Sequence, residues 1–373
     1  MSENKVVNVL QFCHGYEMPF CDVAKQYASI FCEAAYHVVT VFLTGVKNSV
    51  VSAAVGGTVI FLENTSAQVR GLKLRQIMQL KRLHEQYQFI FAIAHRFKPL
   101  YIATHIKKLP VIGVHHAYGD YKRLRRRWYI YRHQKELFCL LGVSDAIRDD
   151  LRHCLPKIDK QRIQTFYNAV ETDSLSTALL SKQAARKKLN LPDEAFVFAN
   201  VGRLHPDKDQ STLIKAFSKV HLSLPNSVLV IVGTGRLEQQ LKQEAIHLNI
   251  DKKVYFLGKI PQVARCFNAF DCFVLSSDHE PFGMVLLEAM IAGVPIICSN
   301  CGGAPEVVGE TGELFDVGNA EHLADKMQKI YHLSCAEIQQ LAGLMQARVQ
   351  GNFSYQAMRK TFWQMPFIQK ITG

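Results

Sequence analysis

Short apolar runs of β-branched and aromatic residues alternate with segments of helical periodicity along the whole chain. Many of these runs are continuously apolar, as over residues 227–233, which is typical of parallel strands covered on both faces. The predicted strands cover residues 6–12, 37–43, 57–62, 88–94, 110–115, 138–143, 162–167, 195–202, 227–233, 253–257, 271–276, 294–299 and 312–315. Strand–helix alternation of this kind predicts α/β units with right-handed crossovers.

A division into two such units is predicted near residues 170–180, where a polar segment follows the last strand of the first half. We expect two doubly wound domains, over residues 1–172 and 173–353, that face each other across a cleft. Ligands of open α/β sheets bind outside the carboxyl ends of the strands, so each domain can offer a set of loops. The stretch 354–370 predicts a terminal helix, which either caps the second domain or packs back onto the first.

The composition limits the classes of protein that the chain can represent. Apolar residues make up 48% and charged residues 20%, which is typical of a globular protein and excludes a disordered one. No apolar run approaches the roughly 20 residues that a membrane span needs. The N-terminus leads straight into a first strand, without the charged start and apolar segment of a signal peptide. We therefore expect a cytoplasmic protein.

The ten cysteines are scattered, several of them within apolar stretches, and are expected to be reduced, buried thiols. Cys298 and Cys301 have the spacing of a metal or redox pair. Because no second pair and no histidine lies near them in the sequence, a zinc or redox role is not favoured.

The formal net charge of +12 is concentrated in the first half of the chain. Basic residues outnumber acidic ones by ten over residues 1–173 and by two over the remainder, which indicates an acidic partner of the first half. The densest basic segment lies within residues 122–135, where Trp128, Tyr129 and Tyr131 stand beside the arginines. This basic aromatic patch is either a solvated helix face or a contact with a membrane surface or an anionic glycolipid. Nucleic acid is the weaker alternative.

Two motifs of the second half join cations and glycines to the ends of predicted strands. Arg203 and Lys208 follow the strand that ends at Gly202, where two cations can clamp a pyrophosphate. Gly233 and Gly235 form a glycine turn of the kind that lets a ligand approach the backbone closely. The turn lacks the third glycine of a dinucleotide-binding fingerprint, so a nicotinamide-dependent enzyme is a poor alternative.

Two further motifs combine a loop with a helix start. The segment Glu-Pro-Phe-Gly-Met-Val-Leu-Leu-Glu over residues 280–288 holds two carboxylates, and its Pro-Phe-Gly break leaves Glu280 on a loop. A helix is predicted to begin near Gly283, and its N-terminus offers unpaired N–H groups to a phosphate. Apolar neighbours surround Glu288, so a freely exposed position is not favoured. Residues 302–306, Gly-Gly-Ala-Pro-Glu, form a second glycine loop that can present N–H groups to an anion.

These four motifs, in this order and spacing, resemble the retaining glycosyltransferases of family 4, which have the GT-B fold of two Rossmann-like domains. The resemblance is specific over residues 200–310. It implies a nucleoside-diphosphate sugar donor, with a UDP-hexose favoured, held mainly by the second domain, an acceptor on the first, and no required metal or other cofactor. By the family pattern Arg203 and Lys208 neutralise the diphosphate, Glu280 contacts hydroxyls of the donor sugar and Glu288 holds the ribose. The residues expected around the donor are Gly15, Gly202, Gly233, Gly235, Pro281, Phe282, Gly283, Met284 and Glu288, with the amides of residues 282–284 lining the sugar and phosphates.

The first half resembles the family less closely. The glycine-rich loop after the first strand has a single glycine here, Gly15, which is expected to approach the phosphate. The family places a histidine beside the transferred sugar after the fifth strand, where this chain has His115 and His116. Strand alternation sends these two side chains to opposite faces, and His115 is favoured. His95 and Arg96, after the fourth strand, are a second acceptor-side pair or a structural histidine and its neighbour.

The resemblance also implies a mechanism. Arg203, Lys208 and helix N-termini would stabilise the leaving diphosphate by preorganised charge, with same-face attack and a donor phosphate oxygen helping to deprotonate the acceptor. A covalent glycosyl-enzyme is the alternative, for which Glu17 and Asp120 are only nominal nucleophiles.

The expected acceptor is a saccharide or an anionic glycolipid. The basic, aromatic first half and a similarity to bacterial core-oligosaccharide transferases favour lipopolysaccharide core and a peripheral place on the inner membrane. A non-catalytic nucleotide-sugar-binding protein and a GT-B-like sugar-nucleotide epimerase are the remaining alternatives.

Overall fold

Parallel strands built from the continuous apolar runs dominate the structure, a computed structural model that describes residues 7–17, 20–32 and 36–372. Residues 1–6, which include the start of the first predicted strand and the N-terminal segment without signal features, lie outside the described residues. The chain forms two units, Met1–Ala169 with Tyr355–Gly373, and Val170–Ser354.

The first unit is a parallel sheet with helices between its strands. Its strands are β1 (Val7–Cys13), β2 (Tyr36–Thr44), β3 (Thr58–Asn64), β4 (Ala92–His95), β5 (Val111–His115), β6 (Leu137–Gly142) and β7 (Ile163–Thr165). Its helices before residue 170 are α1 (Phe20–Ser29), α2 (Ser49–Val55), α3 (Leu74–Tyr87), α4 (Phe97–Ala103), α5 (Leu124–Arg132) and α6 (Asp145–Cys154). The strand order is β3-β2-β1-β4-β5-β6-β7, with every neighbouring pair parallel.

The second unit repeats this plan with one strand fewer. Its strands are β8 (Phe196–Val201), β9 (Ser227–Val232), β10 (Val254–Gly258), β11 (Cys272–Leu275), β12 (Ile296–Ser299) and β13 (Glu313–Phe315). Its helices are α7 (Thr172–Ala178), α8 (Lys182–Leu189), α9 (Gln210–Val220), α10 (Glu238–His247), α11 (Met284–Ile291), α12 (Ala304–Val308), α13 (Ala320–Tyr331) and α14 (Cys335–Asn352). The parallel strand order is β10-β9-β8-β11-β12-β13.

The prediction of two doubly wound parallel α/β units is confirmed, and each predicted strand has its counterpart. The continuous apolar runs are explained by burial on both faces, as in β9, where all six residues are buried. The largest difference is at β4, which begins at Ala92 instead of residue 88. Gln88 has φ +52° and ends α3 in the left-handed region, so the chain turns before it can enter the sheet.

The end of the chain returns to the first unit. It forms α15 (Tyr355–Gln364) and α16 (Pro366–Thr372), where the sequence predicted one helix over 354–370. Pro366 explains the break, because a proline disfavours helical geometry in the residue before it. The Trp363 indole N–H donates to the Ile30 carbonyl oxygen at 3.2 Å, and its ring stacks on Tyr36 at a centroid distance of 5.2 Å.

Each sheet reverses its strand order at one point. The reversal lies between β1 and β4 in the first unit and between β8 and β11 in the second. Loops that leave the carboxyl ends of these strand pairs run in opposite directions and open a crevice, which is where doubly wound folds bind ligands. None of the described helices combines the length and hydropathy that crossing a membrane requires.

Candidate functional site

The loop after β8 brings Lys208 to the point where the second sheet reverses. A 3-10 turn over Pro206–Lys208 begins with proline, whose fixed φ suits a first helical position. Asp209 then takes φ +41° and caps α9 by accepting hydrogen bonds from the Thr212 amide and hydroxyl. The Ser276 hydroxyl, just after β11, donates to the Lys208 carbonyl oxygen at 2.8 Å. The loop is therefore fixed at both strands that flank the reversal.

Lys208 and Glu280 form an ion pair across this reversal, although they lie 72 positions apart in the sequence. The Lys208 Nζ is 2.6 Å from the Glu280 Oε2, and the two side chains are only 18% and 9% exposed. The Ser277 hydroxyl donates to the same carboxylate oxygen at 3.2 Å. An ammonium has three N–H donors, so Lys208 can hold Glu280 in place and still donate to an anion.

The loop that carries Glu280 is tied to the loop after β12. The Gly303 amide donates to the Glu280 carbonyl oxygen at 2.8 Å. Ser299 and Cys301 both donate to the Ser277 carbonyl oxygen, from Oγ at 2.5 Å and from Sγ at 3.1 Å. Cys301, singled out by its spacing from Cys298, thus holds the site loop as a thiol donor.

The predicted helix N-terminus follows directly. Gly283 has φ +95° and precedes α11, and a Cβ at this position would lie 2.7 Å from the Leu286 Cδ1. The Leu286 amide donates to the Gly283 carbonyl oxygen at 2.9 Å, whereas the Met284 and Val285 amides share no hydrogen bond with a described residue and have no side-chain cap. These two amides can therefore donate to a ligand. The Phe282 ring is buried and packs edge-on against Phe353 at a centroid distance of 5.9 Å. Only the backbone of Phe282 is therefore suited to the predicted contact with sugar and phosphate.

Glu288 lies on α11 between the buried residues Leu287 and Ala289 and is itself partly exposed. Pro281 and Met284 are also partly exposed. Arg203, on the loop after Gly202, is 72% exposed, and its nearest carboxylate is that of Asp207 at 3.5 Å. An exposed, weakly paired arginine can reorient toward a phosphate at little cost.

Gly233 and Gly235 are explained by packing within the protein. A Cβ on Gly233 would lie 1.8 Å from the Gly202 carbonyl oxygen, and a Cβ on Gly235 would lie 2.2 Å from that of Leu204. From the sequence, both glycines were predicted to let a ligand approach. In the structure, the backbone of the loop after β8 already leaves no room for a side chain at either position. Gly202 differs, because its Cβ would meet nothing nearer than the Lys208 Cγ at 3.9 Å. The contacts of all three glycines with a donor stay predictions.

At the reversal of the first sheet, residues 14–17 after β1 line a cavity of about 450 Å³ to which Arg96 also contributes. A Cβ on Gly15 would lie 3.0 Å from the Thr44 Oγ1, so the turn is tight without a side chain. Arg96 has φ +71°, and its guanidinium lies over the Phe20 ring at 4.6 Å. Met18 and Pro19 of this loop lie outside the described residues.

His115 is enclosed by protein. It is fully buried, its Nδ1 is 2.8 Å from the Asp120 Oδ2, and its Nε2 is 3.1 Å from the Tyr121 hydroxyl. Burial alone would raise the pKa of Asp120, but the hydrogen bond with His115 and the charges of His115, Arg126 and Arg96 lower it. With both ring nitrogens occupied, His115 has none left for a sugar. The preference for His115 is therefore not supported, and His116, which is partly exposed, is the better candidate.

The sequence missed Ser277, which shares the Glu280 carboxylate with Lys208, and Gln210, which ties the β8 loop to its strand. The Gln210 amide is buried and donates to the Arg203 carbonyl oxygen at 3.0 Å. The serine could have been found, because a polar pair directly after an apolar strand stands at a strand end. Gln210 gives no such signal within a helical pattern.

The basic aromatic patch splits into two faces on α5. Arg126 donates to Asp120 and Arg127 donates to the Tyr121 carbonyl oxygen, so both turn toward the protein. Leu124 and Trp128 are 75% and 67% exposed. The outer face of α5 thus presents apolar side chains among cations.

The family match of this chain lies within the second unit. Residues 181–342 match the family described as "Glycosyl transferases group 1". The N-acetyl-alpha-D-glucosaminyl L-malate synthase of Bacillus anthracis is 32% identical over 187 residues, which are 50% of this chain and 48% of that protein. The lipopolysaccharide core biosynthesis glycosyltransferase LpsE of Rhizobium meliloti is 31% identical over 147 residues, 40% of this chain and 42% of that protein. The matched segments thus span less than half the length of these relatives.

Solved structures match over nearly the whole chain. A glycosyltransferase from Rickettsia africae ESF-5 has a TM-score of 0.84 at 17% identity and covers 98% of this chain and 99% of its own. Anabaena HepE in complex with UDP has a TM-score of 0.81 at 18% identity and covers 95% of this chain and 98% of its own. At these identities the likeness establishes the fold.

Proposed function

Because the chain has the GT-B fold and its residues 181–342 match the group 1 glycosyl transferases, we propose that it is a glycosyltransferase that takes its sugar from a nucleotide-sugar donor. The Lys208–Glu280 pair carries this proposal. It sets a cation beside a carboxylate at the reversal of the second sheet, next to the first two amides of α11. A sugar diphosphate needs both, because its phosphates accept hydrogen bonds and its hydroxyls donate them. HepE has been solved with UDP-glucose, which supports a UDP-hexose as donor.

We propose that transfer is retaining, as the family resemblance implies. Lys208, Arg203 and the α11 amides would stabilise the negative charge that develops on the leaving diphosphate. These groups supply the positive charge that the diphosphate needs, so we propose that transfer requires no metal. Asp120 is held by His115 and Arg126, which makes it a poor nucleophile for a glycosyl-enzyme. We propose that a donor phosphate oxygen acts as the base that helps to deprotonate the acceptor hydroxyl.

Thermal stabilisation by a panel of UDP-, GDP- and ADP-sugars tests the donor class. A ligand present at about 100 times its Kd stabilises the folded state by about 2.7 kcal/mol, which raises Tm measurably. We expect a UDP-hexose to raise Tm of the wild type and not of Lys208→Met. Lys215→Met is the matched control, since Lys215 is an exposed lysine on α9 paired with Glu244. Failure of every nucleotide sugar to raise Tm would remove the proposal. Binding without transfer to any acceptor would favour a non-catalytic protein.

A cluster of cations in the first unit supports an anionic acceptor. Burial lowers the pKa of Lys98, and the charges of Arg70, Arg126 and Arg96 lower it further. The pKa of Lys73 is lowered by burial and by Lys98 and Arg126. Repulsion of this kind is relieved when an anion binds, so we propose that these side chains receive a phosphate or carboxylate of the acceptor.

Aromatic rings hold two of these cations in place. The Lys73 Nζ lies 4.6 Å from the centre of the Tyr101 ring, and the Arg126 guanidinium lies 4.6 Å from that of Phe97. The large apolar side chains exposed on the segments that carry this cluster are Leu72, Leu74, Met78, Leu124 and Trp128. Exposed apolar groups among cations suit the headgroup region of an anionic membrane. We propose a cytoplasmic protein that meets a glycolipid acceptor at the inner-membrane surface, with lipopolysaccharide core favoured by the likeness to LpsE.

Vesicle binding tests this surface. We expect the protein to bind vesicles that contain phosphatidylglycerol, to bind pure phosphatidylcholine weakly, and to be released by salt. The variant Arg123→Gln/Arg125→Gln/Trp128→Ser should lose most of this binding. Lys187→Gln/Lys188→Gln removes the same charge from an exposed face of the second unit and should bind like the wild type. Equal loss in both variants, or none in the first, would reject the basic aromatic patch as the contact.

A further inference from the structure

A chain of buried polar side chains runs through the first unit from β2 to the end of β5. The Thr40 hydroxyl donates to the Gln11 Oε1 at 3.1 Å, and the Gln11 Nε2 lies 3.5 Å from the His95 Nε2. The His95 Nδ1 lies 3.1 Å from the His116 Nε2, and the two rings stack at a centroid distance of 5.3 Å. Thr40, Gln11 and His95 are buried, whereas His116 is partly exposed.

The orientation of the Gln11 amide fixes the first step. Its Nε2 lies 3.0 Å from the Ala24 carbonyl oxygen, which can only accept a hydrogen bond, so the nitrogen and not the oxygen must face Ala24. The Oε1 then accepts from Thr40. An amide nitrogen only donates, so its second N–H faces the His95 Nε2, which must be the unprotonated nitrogen of that ring.

The positions of the protons on His95 and His116 follow from the unprotonated His95 Nε2. Burial lowers the pKa of His95 to about 3, with a smaller contribution from His115. Burial, His95, His115 and Arg96 hold the pKa of His116 well below its usual value. Each ring therefore carries a single proton at neutral pH. With its Nε2 bare, His95 carries that proton on Nδ1 and donates it to the His116 Nε2, so His116 must carry its own proton on Nδ1 as well.

We propose that Gln11 and His95 are positioning residues that lock His116 as its Nδ1–H tautomer, so that the Nδ1 of His116 is a fixed hydrogen-bond donor and not a base. No described residue shares a hydrogen bond with this nitrogen, whereas both nitrogens of the neighbouring His115 are occupied. The chemistry that suits such a donor is a hydroxyl or phosphate oxygen. Naming that oxygen as part of the sugar donor or the acceptor rests on the proposed function, whereas the tautomer does not.

Long-range ¹H–¹⁵N correlation spectra of the full chain, labelled at histidine nitrogens, test the proposal without any assay of transfer. In the wild type at pH 7.5 we expect His95 and His116 both to carry their proton on Nδ1, with assignments taken from His95→Gln and His116→Gln. A proton on Nε2 of either ring in the wild type would overturn the proposed tautomers. The two variants serve only for assignment, and the tautomers themselves are read from the wild type.

Gln11→Glu should move the protons of His95 and His116 to the other nitrogen of each ring. An ionised carboxylate only accepts, so it would draw the His95 proton to Nε2, and His116 would then donate from its own Nε2 and leave Nδ1 bare. Thr40→Val is the matched control, because it removes the neighbouring hydrogen bond while Ala24 still orients the amide; its tautomers should be those of the wild type. Because burial raises the pKa of a carboxyl group, the ¹³C shift of the new carboxyl carbon is followed with pH. An unchanged His116 tautomer in Gln11→Glu at a pH where this shift shows an ionised carboxylate would contradict the proposal.

Transfer kinetics separate the two proposals. If the His116 Nδ1–H donates to the reacting ligands, Gln11→Glu should lower kcat/KM by about tenfold or more, as expected for the loss of one hydrogen bond to a charged or strongly polarised group. Thr40→Val should stay within about twofold of the wild type. His116→Asn, whose Nδ2 replaces the Nδ1–H donor, should retain more activity than His116→Ala. Absence of transfer in the wild type would remove the proposed function and leave the tautomers to be judged by the spectra alone.

Discussion

Lys208 and Glu280 are coupled at the scale of single side chains, since each satisfies the charge of the other in a nearly closed environment. Burial makes such a pair costly to break, because removing one partner leaves an uncompensated charge. Ser277 lessens this cost on the Glu280 side by its own hydrogen bond. The pair is thus held ready for a ligand that offers both an anion and a hydroxyl.

Lys208→Ala and Glu280→Ala should each abolish transfer, with kcat reduced by about 100-fold or more, because charge stabilisation of the leaving group is lost or misplaced. The measurement is steady-state turnover with the donor that the thermal panel identifies, with circular dichroism as the check on folding. Wild-type-like turnover by either folded variant would reject the site assignment. Lys215→Ala is again the control.

Substitution by alanine should lower stability at Gly233 and leave it unchanged at Gly202. Gly233→Ala forces a Cβ against the Gly202 carbonyl oxygen, so we expect a loss of about 1–3 kcal/mol or more in the free energy of unfolding. Gly202→Ala meets only ordinary contacts and should unfold like the wild type. If a phosphate approaches Gly202 as predicted, its alanine variant will bind the donor more weakly. Urea unfolding and donor titration of the two variants decide the matter.

At the scale of elements, α15 and α16 complete the aromatic core of the first unit. Phe362 on α15 is fully buried and contacts Phe31 and Phe166 at centroid distances of 5.6 and 5.7 Å. Trp363 lies against Phe31 and Tyr36. A segment that follows the second unit in sequence is therefore part of the hydrophobic core of the first.

Phe362→Ala should destabilise the first unit by about 3–5 kcal/mol, through lost transfer energy and the cavity left behind. Urea unfolding followed by tryptophan fluorescence measures this unit alone, because the two tryptophans, Trp128 and Trp363, both belong to it. Thr361→Ala, at an exposed position of the same helix, is the control and should change stability by less than about 0.5 kcal/mol. Equal effects of the two substitutions would contradict the packing of α15.

At the scale of the whole molecule, buried histidines make the first unit sensitive to acid. Burial lowers the pKa of His14 to about 4, with help from Lys98 and Arg96, and the pKa of His95 to about 3. Both groups bind protons near pH 6.5 once the chain unfolds, so the unfolded state binds more protons between these values and stability falls as pH falls.

We expect the urea midpoint of tryptophan fluorescence to be highest above pH 6.5 and to fall as pH is lowered through 6 toward 4. His14→Asn removes one of the groups that must be protonated and should flatten this dependence. His221→Asn, a substitution in the second unit, should leave the urea midpoint of tryptophan fluorescence and its dependence on pH unchanged. A midpoint that rises on acidification would show that other groups dominate.

The strand ends were predictable because continuous apolar runs bounded by polar residues leave little choice of element. The same logic found Lys208 and Glu280 as residues of strand-end loops, but not their ion pair, which joins positions 72 apart in the sequence. Strand alternation separated His115 from His116 without saying which face was closed. That depended on Asp120 and Tyr121, whose loop returns to cover His115.

The two parallel α/β units, the strand-end motifs of the second unit and the likeness to a glycosyltransferase family could all be predicted before the structure, because local hydrophobic pattern and turn chemistry record them directly. The tertiary structure decided which glycines are needed by the protein itself, which histidine stays partly open, and the course of the final helices. The glycines and the final helices depend on contacts between residues far apart in the chain, and the histidine depends on how the loop over residues 120–121 folds back. No local hydrophobic pattern encodes either kind of contact.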